Sequence, residues 1–158
     1  MIEQGNRRIA FIDNTDISKS SYRKLAGFKQ AVEGKDIKTW IAFSPFSGQG
    51  SYDAFKKIWE SGGEKPTAVV CASDCMAIGV MRYMKDNNLV CPDDISVTGY
   101  EDGLLAEYSI PALSTVRIHK AKLGAEACEI LFNRIRNNRA RRVSRLIEPE
   151  LIIRNSVR

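Results

Sequence analysis

Short apolar runs rich in β-branched and aromatic residues alternate along this chain with stretches of helical period, and no other feature restricts the fold as strongly. The runs are Ile9 to Ile12, Trp40 to Phe43, Ala68 to Ala72, Ile95 to Gly99 and Leu113 to Ile118, each of strand length. Between them Tyr22, Leu25, Phe28 and Val32 share one helical face, as do Tyr52, Phe55, Ile58 and Trp59, while Met76, Ala77, Val80, Met81 and Met84 make a wide one. Strands alternating with helices predict right-handed crossovers, and hence an α/β fold with a parallel sheet and helices on both faces. Gly34 and Gly62-Gly63 are placed to close helices, Asp74 to cap the start of one, and Pro92-Asp93-Asp94 to turn into a strand.

The last third breaks this rhythm. From about Lys120 to Asn137 the residues Leu123, Ala127, Cys128, Ile130, Leu131, Phe132 and Ile135 cover more than one narrow stripe, which predicts a helix with neighbours on two sides. Leu146 to Ile153 reads as an edge strand, since Pro149 cannot donate to a central ladder. From the end of that helix to the start of that strand run Arg134, Arg136, Arg139, Arg141, Arg142 and Arg145 with no acid among them, so the formal charge of +5 belongs to this stretch and the remainder is close to neutral. A nucleic-acid arm would use such a cluster against phosphate, but its place between helix and strand favours a solvated loop.

With 158 residues, 44% of them apolar, the chain is long enough for one globular domain or a little more. No apolar stretch approaches the roughly 20 residues of a membrane span and no charged start leads into a signal segment, so a cytoplasmic protein with no membrane partner is expected. Cys71, Cys75, Cys91 and Cys128 form no paired CxxC clusters and His119 is the lone histidine, which predicts buried thiols in a reducing compartment, no metal site and no cofactor. No G-x-S-x-G elbow accompanies His119, and Ser47-Gly48-Gln49-Gly50-Ser51 lacks both phosphate-loop patterns, so it reads as a loop and helix cap and no enzyme is expected.

In an open parallel sheet ligands bind beyond the carboxyl ends of the strands. Those ends carry Asp13-Asn14, Ser44, Ser73-Asp74 and Glu101-Asp102, a rim of hydroxyls, amide and carboxylates suited to a polyol, although Asp74 and Asp102 read equally well as cap or turn residues. Lys24 and Tyr52, near helix starts on the same rim, add a cation and an aromatic face.

Gly5-Asn6-Arg7-Arg8-Ile9-Ala10-Phe11-Ile12, Lys24-Leu25-Ala26-Gly27-Phe28, Cys71-Ala72-Ser73-Asp74-Cys75-Met76-Ala77-Ile78-Gly79, Pro92 to Asp102 and Pro111-Ala112-Leu113-Ser114-Thr115-Val116-Arg117 occur in order. Together they resemble the effector-binding domain of the LacI/GalR family of bacterial transcription regulators, over nearly the whole chain to Glu150-Leu151-Ile152-Ile153-Arg154-Asn155-Ser156. The resemblance implies a helix-turn-helix head followed by a sensor of two lobes of the type I periplasmic-binding-protein kind, of which this chain is a part. Residues 1–117 resemble the second lobe, 118–145 the crossover helix and loop belonging to the first, and 146–158 the strand that returns; the head has no counterpart here.

Position by position, the resemblance puts effector contacts at Lys24, where the family has arginine, at the stacking aromatic Tyr52, at Ser73, at Glu101 and at Ser20, with Asp13 and Asp74 as further candidates. It implies a homodimer formed through Ile78, Met81, Arg82, Tyr108 and Ile110. The function so implied is the ligand-sensing and dimerisation module of a bacterial repressor, which takes a small sugar-like effector and meets DNA only through its head. The alternative is a sugar-binding protein of transport or chemotaxis type with the same fold.

Overall fold

The computed structural model describes residues 1–15, 18–137 and 142–158. Strand β1 (Arg8–Asn14) lies inside the sheet and its middle five residues are buried, which is why it reads as an unbroken apolar run rather than an alternation. Strands β2 (Lys38–Ser44), β3 (Ala68–Cys71) and β4 (Ser96–Thr98) complete an all-parallel sheet of order β2-β1-β3-β4. Strand β2 forms one edge and buries only Ser44 completely.

Helix α1 (Lys19–Val32) covers one face, where Phe28 stacks on Phe11 at 4.9 Å between centroids. Helices α2 (Gly48–Glu60) and α3 (Asp74–Asp86) cover the other, enclosing the larger core of Phe55, Met76, Val80, Tyr83 and Met84 over Ala10, Ile12, Val69 and Val97. The expected α/β sheet with helices on both faces is therefore present. Gly34 at φ 70° and Gly62 at φ 84° follow the ends of α1 and α2, the left-handed conformation that stops a helix.

The α2–α3 seam is unusually close. A Cβ added to Gly79 would lie 2.0 Å from the Gly48 carbonyl oxygen and 2.2 Å from Ser51 Oγ. Ser51 Oγ itself donates across the seam to the Met76 carbonyl at 2.8 Å.

The end of the chain departs from the expected layout. The segment from Leu113 to Ile118 does not extend the parallel ladder; only single parallel bridges, Thr98 to Ser114 and Glu101 to Arg117, link it to the β4 side. Its ordered part, β5 (Thr115–Arg117), pairs antiparallel with β6 (Glu150–Ile152), which starts directly after Pro149 as a proline requires. A short helix α4 (Leu104–Tyr108), too brief to leave a periodic signal, precedes β5.

Buried Ser156 binds the margin of β4: its carbonyl accepts from Val97 N at 2.8 Å, and its hydroxyl donates to the Val97 carbonyl at 2.7 Å and accepts from Ser114 N at 2.8 Å. Helix α5 (Lys120–Arg136) buries none of its residues and exposes Leu123, Leu131, Phe132 and Ile135. Of the arginine stretch, Arg139 and Arg141 lie outside the described residues, and Arg145 is paired with Glu126 and Glu129 on α5. The expectation of four buried thiols holds for Cys71 alone: Cys75 and Cys91 are half-buried, and Cys128 is exposed because α5 has no cover.

Gly79→Ala overpacks the α2–α3 seam and lowers unfolding stability by about 1–3 kcal/mol, measured by urea titration. Gly27→Ala, inside α1 with nothing within 4 Å of the added Cβ, raises it by about 0.5–1 kcal/mol.

Candidate functional site

The carboxyl ends of the four parallel strands form a single rim. Helix α1 starts there, capped by Ser18, whose side chain accepts from Ser21 N at 3.2 Å. Residues three and four apart share a helix face, so Lys19 and Arg23 stand together, as do Ser20 and Lys24. These four and Tyr100 line one cavity of about 400 Å³. Lys24 is half-buried, with Nζ donating to the Ala72 carbonyl at 2.9 Å and lying 5.0 Å from the centre of the Tyr100 ring. Lys24 and Tyr100 also wall a second, mostly apolar cavity of about 290 Å³ reaching Phe11, Phe28 and Leu151.

Glu101 follows Tyr100 directly and is held in the left-handed region at φ 110°, with Asp102 next to it at φ 51°. Neither residue adopts such a conformation without support. The support is explicit: Glu101 N donates to the Val116 carbonyl at 2.9 Å, and the Asp102 carboxylate lies between Arg117 Nε at 2.6 Å and the Arg154 guanidinium at 2.7 Å. Burial by itself would raise the Asp102 carboxyl, but the hydrogen bonds from Arg117 and Arg154 outweigh it and hold the group below the usual carboxylate range.

Asp74 anchors the same loop from below. Its backbone N donates to the Tyr100 carbonyl at 3.0 Å, Oδ2 accepts from Gly103 N at 2.7 Å and Oδ1 accepts from Thr115 Oγ1 at 2.6 Å. Gly99 permits this approach, because a Cβ there would lie 2.3 Å from Asp74 Oδ1. Asp74 is thus fully engaged in holding the rim.

The candidates therefore divide. Ser20 and Lys24 line one cavity with Tyr100, and Glu101 is the next residue of the chain after Tyr100. Ser73 does not join them: it is buried and its hydroxyl caps α3 by accepting from Met76 N at 3.2 Å. Tyr52 is turned into the α2–α3 seam, edge-on to Tyr83 at 5.2 Å between centroids, because the apolar face of α2 faces α3 there. Exposed aromatics near the rim are instead Tyr22, in the first turn of α1, and Phe46, in the turn between β2 and α2, whose signal is an aromatic between Pro45 and Ser47 directly after a strand. Asp13 is completely buried at the end of β1; Oδ1 accepts from Asn14 N at 2.8 Å, while its Oδ2 and the Asn14 Oδ1 have no partner among the described residues.

A separate apolar groove of about 490 Å³ runs between α3 and α4, lined by Ile78, Met81, Arg82, Leu104, Tyr108 and Ile110 among others. Ile110 is 95% exposed and Tyr108 75%.

Residues 1–157 match the family of periplasmic binding protein-like domains. The HTH-type transcriptional repressor PurR of Escherichia coli is 36% identical over 160 residues, covering 99% of this chain and 47% of that protein. A putative LacI transcriptional regulator from Bacillus cereus subsp. cytotoxis superposes with a TM-score of 0.93 at 27% identity, over 99% of this chain and 56% of the other. A dimeric Lac repressor gives 0.90 at 25% identity, over 99% and 57%. The chain spans about half the length of the curated relatives it matches.

As pH falls below about 5, the native state loses the stability that Asp102 supplies, because a carboxyl whose folded pKa lies below its unfolded value stabilises only while ionised. Thermal unfolding from pH 7 to 3 shows this component in the wild type. In Asp102→Asn the overall stability is lower and that component is absent.

Proposed function

The chain belongs to the periplasmic binding protein-like domain family, and from that premise we propose that it is the effector-sensing and dimerising part of a LacI-type transcriptional repressor. The observation that carries the proposal is the cavity that Ser20, Lys24 and Tyr100 share at the carboxyl ends of parallel strands, with Glu101 next in the chain after Tyr100. Its donors and acceptors suit a small polar effector of the sugar class: the Lys24 ammonium donates, Glu101 accepts from hydroxyls, and Phe46 and Tyr100 offer apolar faces. Two consecutive left-handed residues, braced by Asp74, Arg117 and Arg154, fix Glu101 in place before any ligand arrives.

Helix α5 fits a second lobe on the far side of the effector. Its exposed Leu123, Leu131, Phe132 and Ile135 suit a sheet that residues beyond this chain would supply, in keeping with relatives about twice as long. An effector bound between two lobes shifts the balance between open and closed forms, and the closed or open form is the one that a DNA-binding head reads. Repressors of this kind act in the cytoplasm, with a small molecule, DNA and a second copy as partners.

The groove between α3 and α4 supports the homodimer. Leu104, Tyr108 and Ile110, beside half-buried Met81, form an exposed apolar patch with Arg82 and Lys85 at its border, the pattern of an interface core with a polar rim. Tyr52, packed against Tyr83 of α3, stiffens that helix from the other side.

Calorimetric titration of the full-length protein with pentoses, hexoses, sugar phosphates and purines identifies the effector class. Glu101→Ala and Lys24→Ala each weaken the effector that binds by at least about tenfold, the loss of one charged hydrogen bond in a closed site. Unchanged affinity in both variants removes the rim from the binding site. In sedimentation velocity the wild type runs as a dimer and the Tyr108→Asp, Ile110→Asp double variant as a monomer of unchanged circular dichroism.

A further inference from the structure

The four-stranded sheet treats its two borders differently. On the β4 side the Ser156 carbonyl accepts from Val97 N at 2.8 Å and its hydroxyl donates to the Val97 carbonyl at 2.7 Å, so the tail takes up that margin. On the other side no strand among the described residues lies against β2, although at seven residues it is as long as β1 and longer than β3 or β4. Short edge strands and charges within them are the usual protection of such a border. From Thr39 to Phe43 there is no charge and, apart from Ala42, every residue is β-branched or aromatic. Lys38, at the near end, is held by Glu64 at 2.8 Å.

The ladder decides which backbone groups of β2 stay open. Lys38 N donates to the Arg7 carbonyl and the Ser44 carbonyl accepts from Thr15 N, both at 2.9 Å, so Lys38, Trp40, Ala42 and Ser44 turn their backbone toward β1. The N–H and C=O groups of Thr39, Ile41 and Phe43 therefore face outward. The same residues present exposed side chains, Ile41 at 40% and Phe43 at 45%. Pro45 has no N–H and ends the run.

This open set complements itself. Turned about a two-fold axis through Ile41, a second copy runs antiparallel, Ile41 meets Ile41, Thr39 meets Phe43, and each pair exchanges both its N–H···O bonds with no outward group left over. Phe43 across from Thr39 is an aromatic against a β-branched side chain, a favourable pair, and Lys38 falls opposite Ser44 rather than another cation. Charge on the flanking helix agrees. Asp53 and Lys57, one turn apart, line the cavity of about 590 Å³ that α2 makes with Trp40 and Ala42 at this border. Because α2 runs back along β2, the same axis sets it antiparallel to its copy, acid toward base in both directions. An unrelated peptide carries no such match.

We infer that β2 is a self-association edge: two copies add β2 to β2 in antiparallel register about Ile41 and join their sheets into one. Helices α3 and α4 pack toward β3 and β4, across the sheet, so this contact is separate from the groove between them and rests on neither the dimer nor the effector proposed above. A seven-residue edge falls below the roughly 1,200 Å² at which stable pairs begin, so the association is reversible and grows with concentration.

Sedimentation equilibrium of the full-length protein, from about 1 to about 200 μM, tests it: the mass doubles across that range, whether the dilute species is the proposed dimer or a monomer. Ile41→Lys and Ile41→Glu each weaken this association at least about tenfold, because like charges then meet on the axis, and an equal mixture of the two restores it. Only Ile41 facing Ile41 gives that rescue. At the flanking exposed positions, Thr39→Lys with Phe43→Glu in one chain keeps the association and Thr39→Lys with Phe43→Lys loses it. Hydrogen exchange of the wild type reads the backbone directly: the amides of Thr39, Ile41 and Phe43 exchange fast when dilute and at least about tenfold more slowly when concentrated. A mass that stays constant, single-charge variants that associate like the wild type, or a mixture that fails to recover overturns the inference. Amides already protected in dilute solution overturn it too, since another part of the full-length chain then covers β2.

Discussion

One buried carboxylate sets the geometry of the rim. Strands β4 and β5 are each three residues long, and between them the sheet makes only isolated bridges, so backbone pairing alone does not fix the loop from Tyr100 to Gly103. Asp74 replaces the missing ladder with three hydrogen bonds, to the Tyr100 carbonyl through its backbone and to Gly103 and Thr115 through its side chain. A buried carboxylate is costly to desolvate, and it is tolerated here because both oxygens are satisfied. The same residue opens α3, so the helix that lines the apolar groove and the loop that carries Glu101 share one anchor.

The second acid, Asp102, works outward. Between Arg117 of β5 and Arg154 beyond β6 it ties the rim to the two-stranded ribbon from which α5 departs. Backbone strain at Glu101 and Asp102 is therefore held from two directions, and among the described residues the Glu101 side chain has no hydrogen-bond or ion-pair partner. For the proposed effector contact that division matters, because a group that touches a ligand must be positioned by others without being occupied by them.

What the sequence disclosed follows from where each signal comes from. The central strands were legible because β1 and β3 are covered on both faces and must be apolar throughout, and α1 to α3 because each turns a periodic face to that sheet. Periodicity says that a residue is covered but not by what, and so Tyr52, expected at a ligand, proved to lie against Tyr83. Ser73 shows the same ambiguity for a polar residue at a strand end: cap and contact need the same hydroxyl, and the cap took it. The family resemblance named Ser20, Lys24 and Glu101, of which the first two line one cavity with Tyr100, a residue that no strand-end argument singles out because its place depends on the loop after β4. The ribbon of β5 and β6 was beyond reach because a three-residue strand leaves too little pattern to tell a parallel neighbour from an antiparallel one.

Ser156 gives the sheet a hem. By taking both the amide and the carbonyl of Val97, the tail occupies the hydrogen-bonding margin of β4 that would otherwise accept another strand. An open margin invites a second molecule to add its own backbone. With this side closed, β2 is the only free border of the four-stranded sheet among the described residues. For the proposed dimer that leaves side chains on helices, where register is chosen by shape and charge rather than by a repetitive backbone that matches any partner.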